Sequence, residues 1–152
     1  MKLAEALQER ADLNTRIAQL ESRIYNNTYV QEGEEPAEDP APILDELNDC
    51  MSRLETLIRQ INLSNCTHTI DGKTLTAWIA RKDVLRLQCN SLRDIISHAS
   101  QAASRARNTE IKILTVIDVK KLRAREDAAA KELRLIDNKL QQANWTYDLI
   151  ED

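Results

Sequence analysis

Apolar side chains recur at alternating spacings of three and four residues in four separate stretches of this chain, and that pattern dictates long helices. The first stretch reads Leu3, Ala6, Arg10, Leu13, Ile17, Leu20 and Ile24, with one charged exception, and ends near the Asn-Asn-Thr at Asn26. The second reads Leu44, Leu47, Met51, Leu54, Ile58 and Ile61 without exception. Leu75, Trp78, Lys82, Leu85, Cys89, Leu92, Ile96, Ala99 and Ala103 form the third, and Val119, Leu122, Glu126, Ala129, Leu133, Ile136, Leu140 and Ala143 the fourth. Each is a narrow stripe that has to be buried against another helix. The spacing therefore predicts an all-α fold: four long heptad-patterned helices, at about 2–26, 42–63, 75–103 and 119–144, in an antiparallel bundle or coiled coil.

The boundaries have local causes. Pro40 and Pro42 suit a first helical turn and disfavour helix in the residue before them. Asp71-Gly72 is a turn signal, Thr74 or Thr76 can cap the third helix, and Asp118 is placed to cap the fourth. Ile79, Val84, Leu87 and Ile95 add apolar area outside the third stripe, so that helix is expected to touch more than one neighbour. Strand-like text occurs only at Glu110 to Ile117, whose alternation can pair with 67–70 as a small β-ribbon. Composition agrees with helices: no Phe, two Gly and three Pro leave little material for the turns of a large sheet. At 152 residues the chain fits a single domain, 1–152, that needs no disulfide or structural metal.

The net charge of −4 conceals an asymmetry. Residues 1–60 carry 6 Lys or Arg against 13 Asp or Glu, whereas residues 73–125 carry 12 against 4. Such a dipolar chain can pair its own halves, or a copy of itself, before it needs an anionic partner. Lys120, Lys121, Arg123 and Arg125 crowd the start of the fourth helix, where cations oppose the helix dipole, and this predicts an acidic neighbour.

Chemistry-bearing patterns are sparse. The acidic connector 30–41 joins the first two helices and holds two of the three prolines, Pro36 and Pro40; Glu34, Glu35, Glu38 and Asp39 are its candidate contact residues. With Glu46 and Asp49, Glu35 and Glu38 resemble the paired carboxylates that hold magnesium in some all-α nucleotide pyrophosphohydrolases, an alternative reading as a divalent-metal-dependent enzyme. Pro36 and Pro40 oppose it, because they keep the first pair off a regular helix. A di-iron site needs Glu-x-x-His, which neither His68 nor His98 supplies, and Cys66-x-His68 has no second pair to complete a zinc site. Gly33 and Gly72 cannot make a phosphate loop. Arg105, Arg107 and Lys112 form a basic loop able to receive a phosphate, an acidic peptide or the connector of another protomer. No stacking aromatics accompany these cations, which argues against nucleic acid.

The expectation is thus a protein without catalysis or cofactor, acting through contact with itself as a homo-oligomer or with another protein. No apolar run approaches the roughly 20 residues of a membrane span. Three cysteines without CxxC spacing, and no apolar leader in MKLAEALQER, suit the cytoplasm.

MKLAEALQERADL at the start, VQEGEEPAEDP from Val30, DGKTLTAWIARKDVLRL from Asp71 and KELRLIDNKLQQANW near the end together resemble a family of small bacterial proteins that carries the label septicolysin. The resemblance covers nearly the whole chain. It implies a bacterial origin, and the label implies a membrane-acting lysin. No site residue comes over with it, and the chain has neither an amphipathic β-hairpin nor an apolar helix to insert.

Overall fold

The computed structural model describes residues 1–101 and 111–151, and among them are four long helices and one two-stranded ribbon. The helices are α1 (Leu3–Asn26), α2 (Pro40–Thr67), α3 (Leu75–Ser100) and α4 (Val119–Thr146). The chain is all-α, as the spacing predicts. The predicted caps also form: Thr74 Oγ1 accepts from the Ala77 amide at 3.2 Å, and Asp118 Oδ1 accepts from the Lys121 amide at 3.1 Å. Helix α2 starts two residues before the predicted position, because Asp39 takes the N-cap and places Pro40 in the first turn.

The ribbon differs in its partner. It is built from β1 (Thr69–Ile70) and β2 (Lys73–Thr74), antiparallel neighbours joined by Asp71 and Gly72. Both turn residues have positive φ, 51° and 77°, as a type I′ hairpin turn demands, and Asp-Gly is one of the pairs that favour it. Residues 111–117 carry no strand. The pairing of 67–70 with 110–117 is thereby corrected: a local hairpin closes over a two-residue loop, and the distant segment is not needed.

The chain divides into two compact units. The first comprises residues 1–69 and 143–152. Here α1 and α2 run antiparallel, tied by two guanidinium–carboxylate pairs, Arg53 with Glu9 and Arg16 with Glu46, while Arg23 pairs with Glu38 of the connector. On α1 these residues recur every seven positions, which keeps them along one edge of the helix interface. Leu3, Ala6 and Leu20 of α1 and Ile43, Leu57 and Ile61 of α2 are buried.

The second unit comprises residues 70–142. Leu75, Leu85, Cys89, Leu92, Ile96 and Ala99 of α3 are buried, as are Ala129, Ile136 and Leu140 of α4. The charged exceptions on both stripes find partners across the helix pair: Lys82 with Asp137, and Glu126 with Arg93 at 3.4 Å. Trp78 donates its indole N–H to the Ile70 carbonyl at 2.9 Å, while Lys73 and Lys139 lie 5.2 and 5.1 Å from its ring centre. Lys139 also pairs with Asp71 at 2.6 Å, so the hairpin turn is held by the same lysine that covers the indole.

Candidate functional site

The acidic connector has an internal task. Asn27, buried at the end of α1, donates through Nδ2 to the Arg23 carbonyl at 2.8 Å and accepts the Glu38 amide on Oδ1 at 2.9 Å. Glu38 then returns its carboxylate to Arg23 by two hydrogen bonds, at 2.7 and 3.2 Å. The Arg23 hydrogen bond holds the Glu38 carboxyl below the usual range and raises the guanidinium in turn. Asp39 caps α2 by accepting from the Ala41 amide at 3.0 Å. Upstream, Gly33 at φ 87° lets the Glu34 amide close a turn onto the Gln31 carbonyl at 3.0 Å. Of the four predicted contact residues here, Glu38 and Asp39 are engaged within the unit; Glu34 and Glu35 are exposed. Glu46, needed by the metal-dependent alternative, is held by Arg16. Among the described residues no group of three or more His, Cys, Asp or Glu is arranged to hold a metal ion.

Arg105 and Arg107 lie outside the described residues, and Lys112 is exposed. The four cations at the start of α4 are exposed too, and among the described residues no carboxylate pairs with them. The acidic neighbour expected for them is not formed there. Charge alone did not determine that contact, since exposed pairs repay little of the entropy of ordering two long side chains.

Spacing alone did not point to a junction of the chain ends in the first unit. Lys2 Nζ lies 2.9 Å from Asp148 Oδ1 and donates to the Thr146 carbonyl at 3.1 Å. Backbone bonds from Leu3 to Tyr147 and from Leu149 to Met1 run alongside. The His68 ring stacks on Tyr147 with centroids 4.4 Å apart, and its Nε2 lies 2.8 Å from the Asp148 carbonyl, which requires the Nε2–H form as donor. Tyr147 donates its hydroxyl to the Thr69 carbonyl at 2.6 Å. Beneath, fully buried Ser64 donates to the Gln60 carbonyl and accepts the Ile150 amide, both at 2.8 Å. All of these groups serve the closure itself.

The exception is α2, whose sequence-defined stripe does not coincide with its buried face. Ile61 is buried and Leu47 and Leu54 are half-buried, but Leu44, Met51 and Ile58 are 45%, 44% and 42% exposed. The face turned inward instead contains Ile43, Leu57, Gln60, Ile61 and Ser64. Helix α2 is thus apolar on two sides. Its outer stripe repeats every seven residues, and Met51 and Ile58 line an open groove with Leu54, Glu55, Arg59 and Asn62. Three exposed aliphatic side chains in heptad register are an arrangement able to receive another helix.

A family of unknown function (DUF6847) matches residues 10–149. The chain belongs to that family. The crystal structure of a functionally unknown conserved protein from Corynebacterium diphtheriae is similar to it, with 33% identity over 99% of both chains and a TM-score of 0.92. No curated protein matches the chain. Neither description supplies an activity, so function has to be argued from the surface of this family member. Among its described residues, no helix is long and apolar enough to cross a membrane.

Proposed function

We propose that this chain is a non-catalytic contact protein that works by covering the outer stripe of α2 with another protein surface, in the first instance a second copy of itself. The observation that carries this reading is the exposure of Leu44, Met51 and Ile58 at intervals of seven. A stripe in that register matches one side of a helix pair, and leaving it in water forgoes its burial energy. The disposition of charged groups agrees with a contact role. Glu9, Glu38, Glu46, Glu126, Glu132 and Asp137 each hold a cation of the same chain, so they are spent on architecture.

A photo-crosslinking residue placed at Glu55, beside the stripe, tests the proposal in the native cell. The expected result is at least one discrete crosslinked protein that disappears when Ile58→Glu is added. Absence of any specific product would overturn the reading. Thermal unfolding with and without Mg²⁺ or Mn²⁺ tests the enzymatic alternative, and an unchanged midpoint is the expected outcome.

A further inference from the structure

Between α3 and α4 the second unit presents aliphatic side chains next to a run of cations. Ile113, Leu114, Val116 and Ile117 are exposed, Leu114 to 78% and Val116 to 99%. Residues 111–125 hold five cations, Lys112, Lys120, Lys121, Arg123 and Arg125, against one carboxylate, Asp118. All five cations are exposed, and among the described residues no carboxylate pairs with them. Asp118 is occupied as the cap of α4. We infer that this patch docks on an anionic lipid bilayer, its aliphatic side chains entering the interface while its cations meet the lipid phosphates. The inference goes beyond the contact proposed for α2 and does not depend on it.

The proximity of the two features follows from the chain itself. Arg125 lies six residues into α4 from Val119, about 9 Å along the axis at 1.5 Å per residue. That is comparable with the Debye length of about 10 Å at 0.1 M salt, so the cations and the apolar segment act on one area of a facing surface. The segment runs beside the end of α3, where Ile113, Leu114, Val116 and Ile117 share a groove with His98 and Ala99. Cations at the start of α4 oppose the helix dipole, and an anionic surface in front of them reverses that cost.

The chemistry of the patch favours lipid over another macromolecule. Its exposed aliphatic residues are immediate neighbours, Ile113 with Leu114 and Val116 with Ile117, in a segment without helix or strand. No periodic face is offered to a protein groove, whereas a fluid interface covers side chains pointing in every direction. Stacking on bases calls for aromatic rings, and residues 111–125 contain none. Apolar insertion and attraction to anionic headgroups are each weak alone and together hold a protein on a membrane. Such a contact lies in the headgroup region and needs no spanning helix.

Co-sedimentation of the full chain with vesicles of equal parts phosphatidylcholine and phosphatidylglycerol, against vesicles of phosphatidylcholine alone, is the test. The chain is expected to bind the anionic vesicles at least about tenfold more tightly, and to be released at about 1 M salt, where the Debye length falls to about 3 Å. Each cation near such a surface is worth about fivefold in affinity, so Lys120→Gln with Lys121→Gln should weaken binding about 25-fold. Leu114→Ser with Val116→Ser should weaken it at least about tenfold at unchanged charge. Circular dichroism of each variant reports that the helices are intact. Equal sedimentation with the two kinds of vesicle at low salt, or none with either, overturns the inference. So does binding indifferent to the lysine exchange or to the Leu114 and Val116 exchange. If the vesicles fail while a photo-crosslinking residue at Thr115 captures an acidic protein in the native cell, the patch belongs to a protein and the lipid contact is removed. The crosslink at Glu55 reads the contact on α2 separately, so either reading can fail without the other.

Discussion

Glu38 reaches back fifteen residues to clasp Arg23 by both carboxylate oxygens, while its own amide is held by Asn27. The acidic connector is therefore folded onto the end of α1, which explains how a proline-rich stretch can deliver the chain to α2 at a fixed angle. Replacing Glu38 with Gln should remove the clasp, and the effect should depend on pH. The folded carboxyl sits below its unfolded value, so its contribution is complete above about pH 4.3 and is lost as pH falls through the lower folded value. Thermal midpoints of wild type and Glu38→Gln should differ at pH 7 and converge in acid. Equal midpoints at pH 7 would show that the clasp contributes nothing.

The two sides of α2 should respond unequally to truncation. Leu57 is fully buried, and Leu57→Ala should cost about 2–5 kcal/mol in urea unfolding. Met51→Ala, measured alongside, should stay within about 0.5 kcal/mol of wild type. Comparable losses at both positions would mean that the outer stripe is packed within the chain.

Ser64 contributes to the junction of the chain ends, because its hydroxyl is the acceptor for the Ile150 amide. Ser64→Ala leaves that amide without its partner and should destabilise by about 1–3 kcal/mol. Faster amide exchange confined to residues 147–150 would accompany it. Unchanged exchange there would show that the tail is held by other means.

Thr74 ends the ribbon and caps α3. Thr74→Ala removes the acceptor for the Ala77 amide and should cost about 1 kcal/mol, most of it recovered by Thr74→Ser. Failure of Ser to rescue would assign the loss to side-chain packing.

What the sequence revealed and what it hid can be traced to particular residues. The stripes of α1, α3 and α4 were legible because nearly all their members are the inward side chains; even Lys82 and Glu126 kept register by pairing across the interface. Helix α2 misled because its inner face carries Gln60 and Ser64, polar groups whose burial is compensated by hydrogen bonds that no hydropathy pattern displays. Its apolar residues are shared between two faces, so the cleanest repeat in the sequence marked the outer one in part. The ribbon's partner was hidden because Asp71-Gly72, legible as a turn, is followed by only the two strand residues Lys73 and Thr74, too short a run for alternation to display. Of the connector, the capping role of Asp39 follows from its place before Pro40, but the Arg23–Glu38 clasp needed the fold. The junction of His68 with Tyr147 joins residues nearly eighty positions apart, and no local pattern encodes such a contact.

Hydroxyl-radical footprinting of Met51 tests most directly whether the outer stripe of α2 is covered when the protein is at work. Met51 is 44% exposed in the isolated chain, and its thioether oxidises in proportion to access. Sulfoxide formation at Met51, normalised to exposed Met1, should be strong in dilute purified protein and several-fold lower inside the native cell. Equal oxidation in both settings would contradict the contact role assigned to this helix.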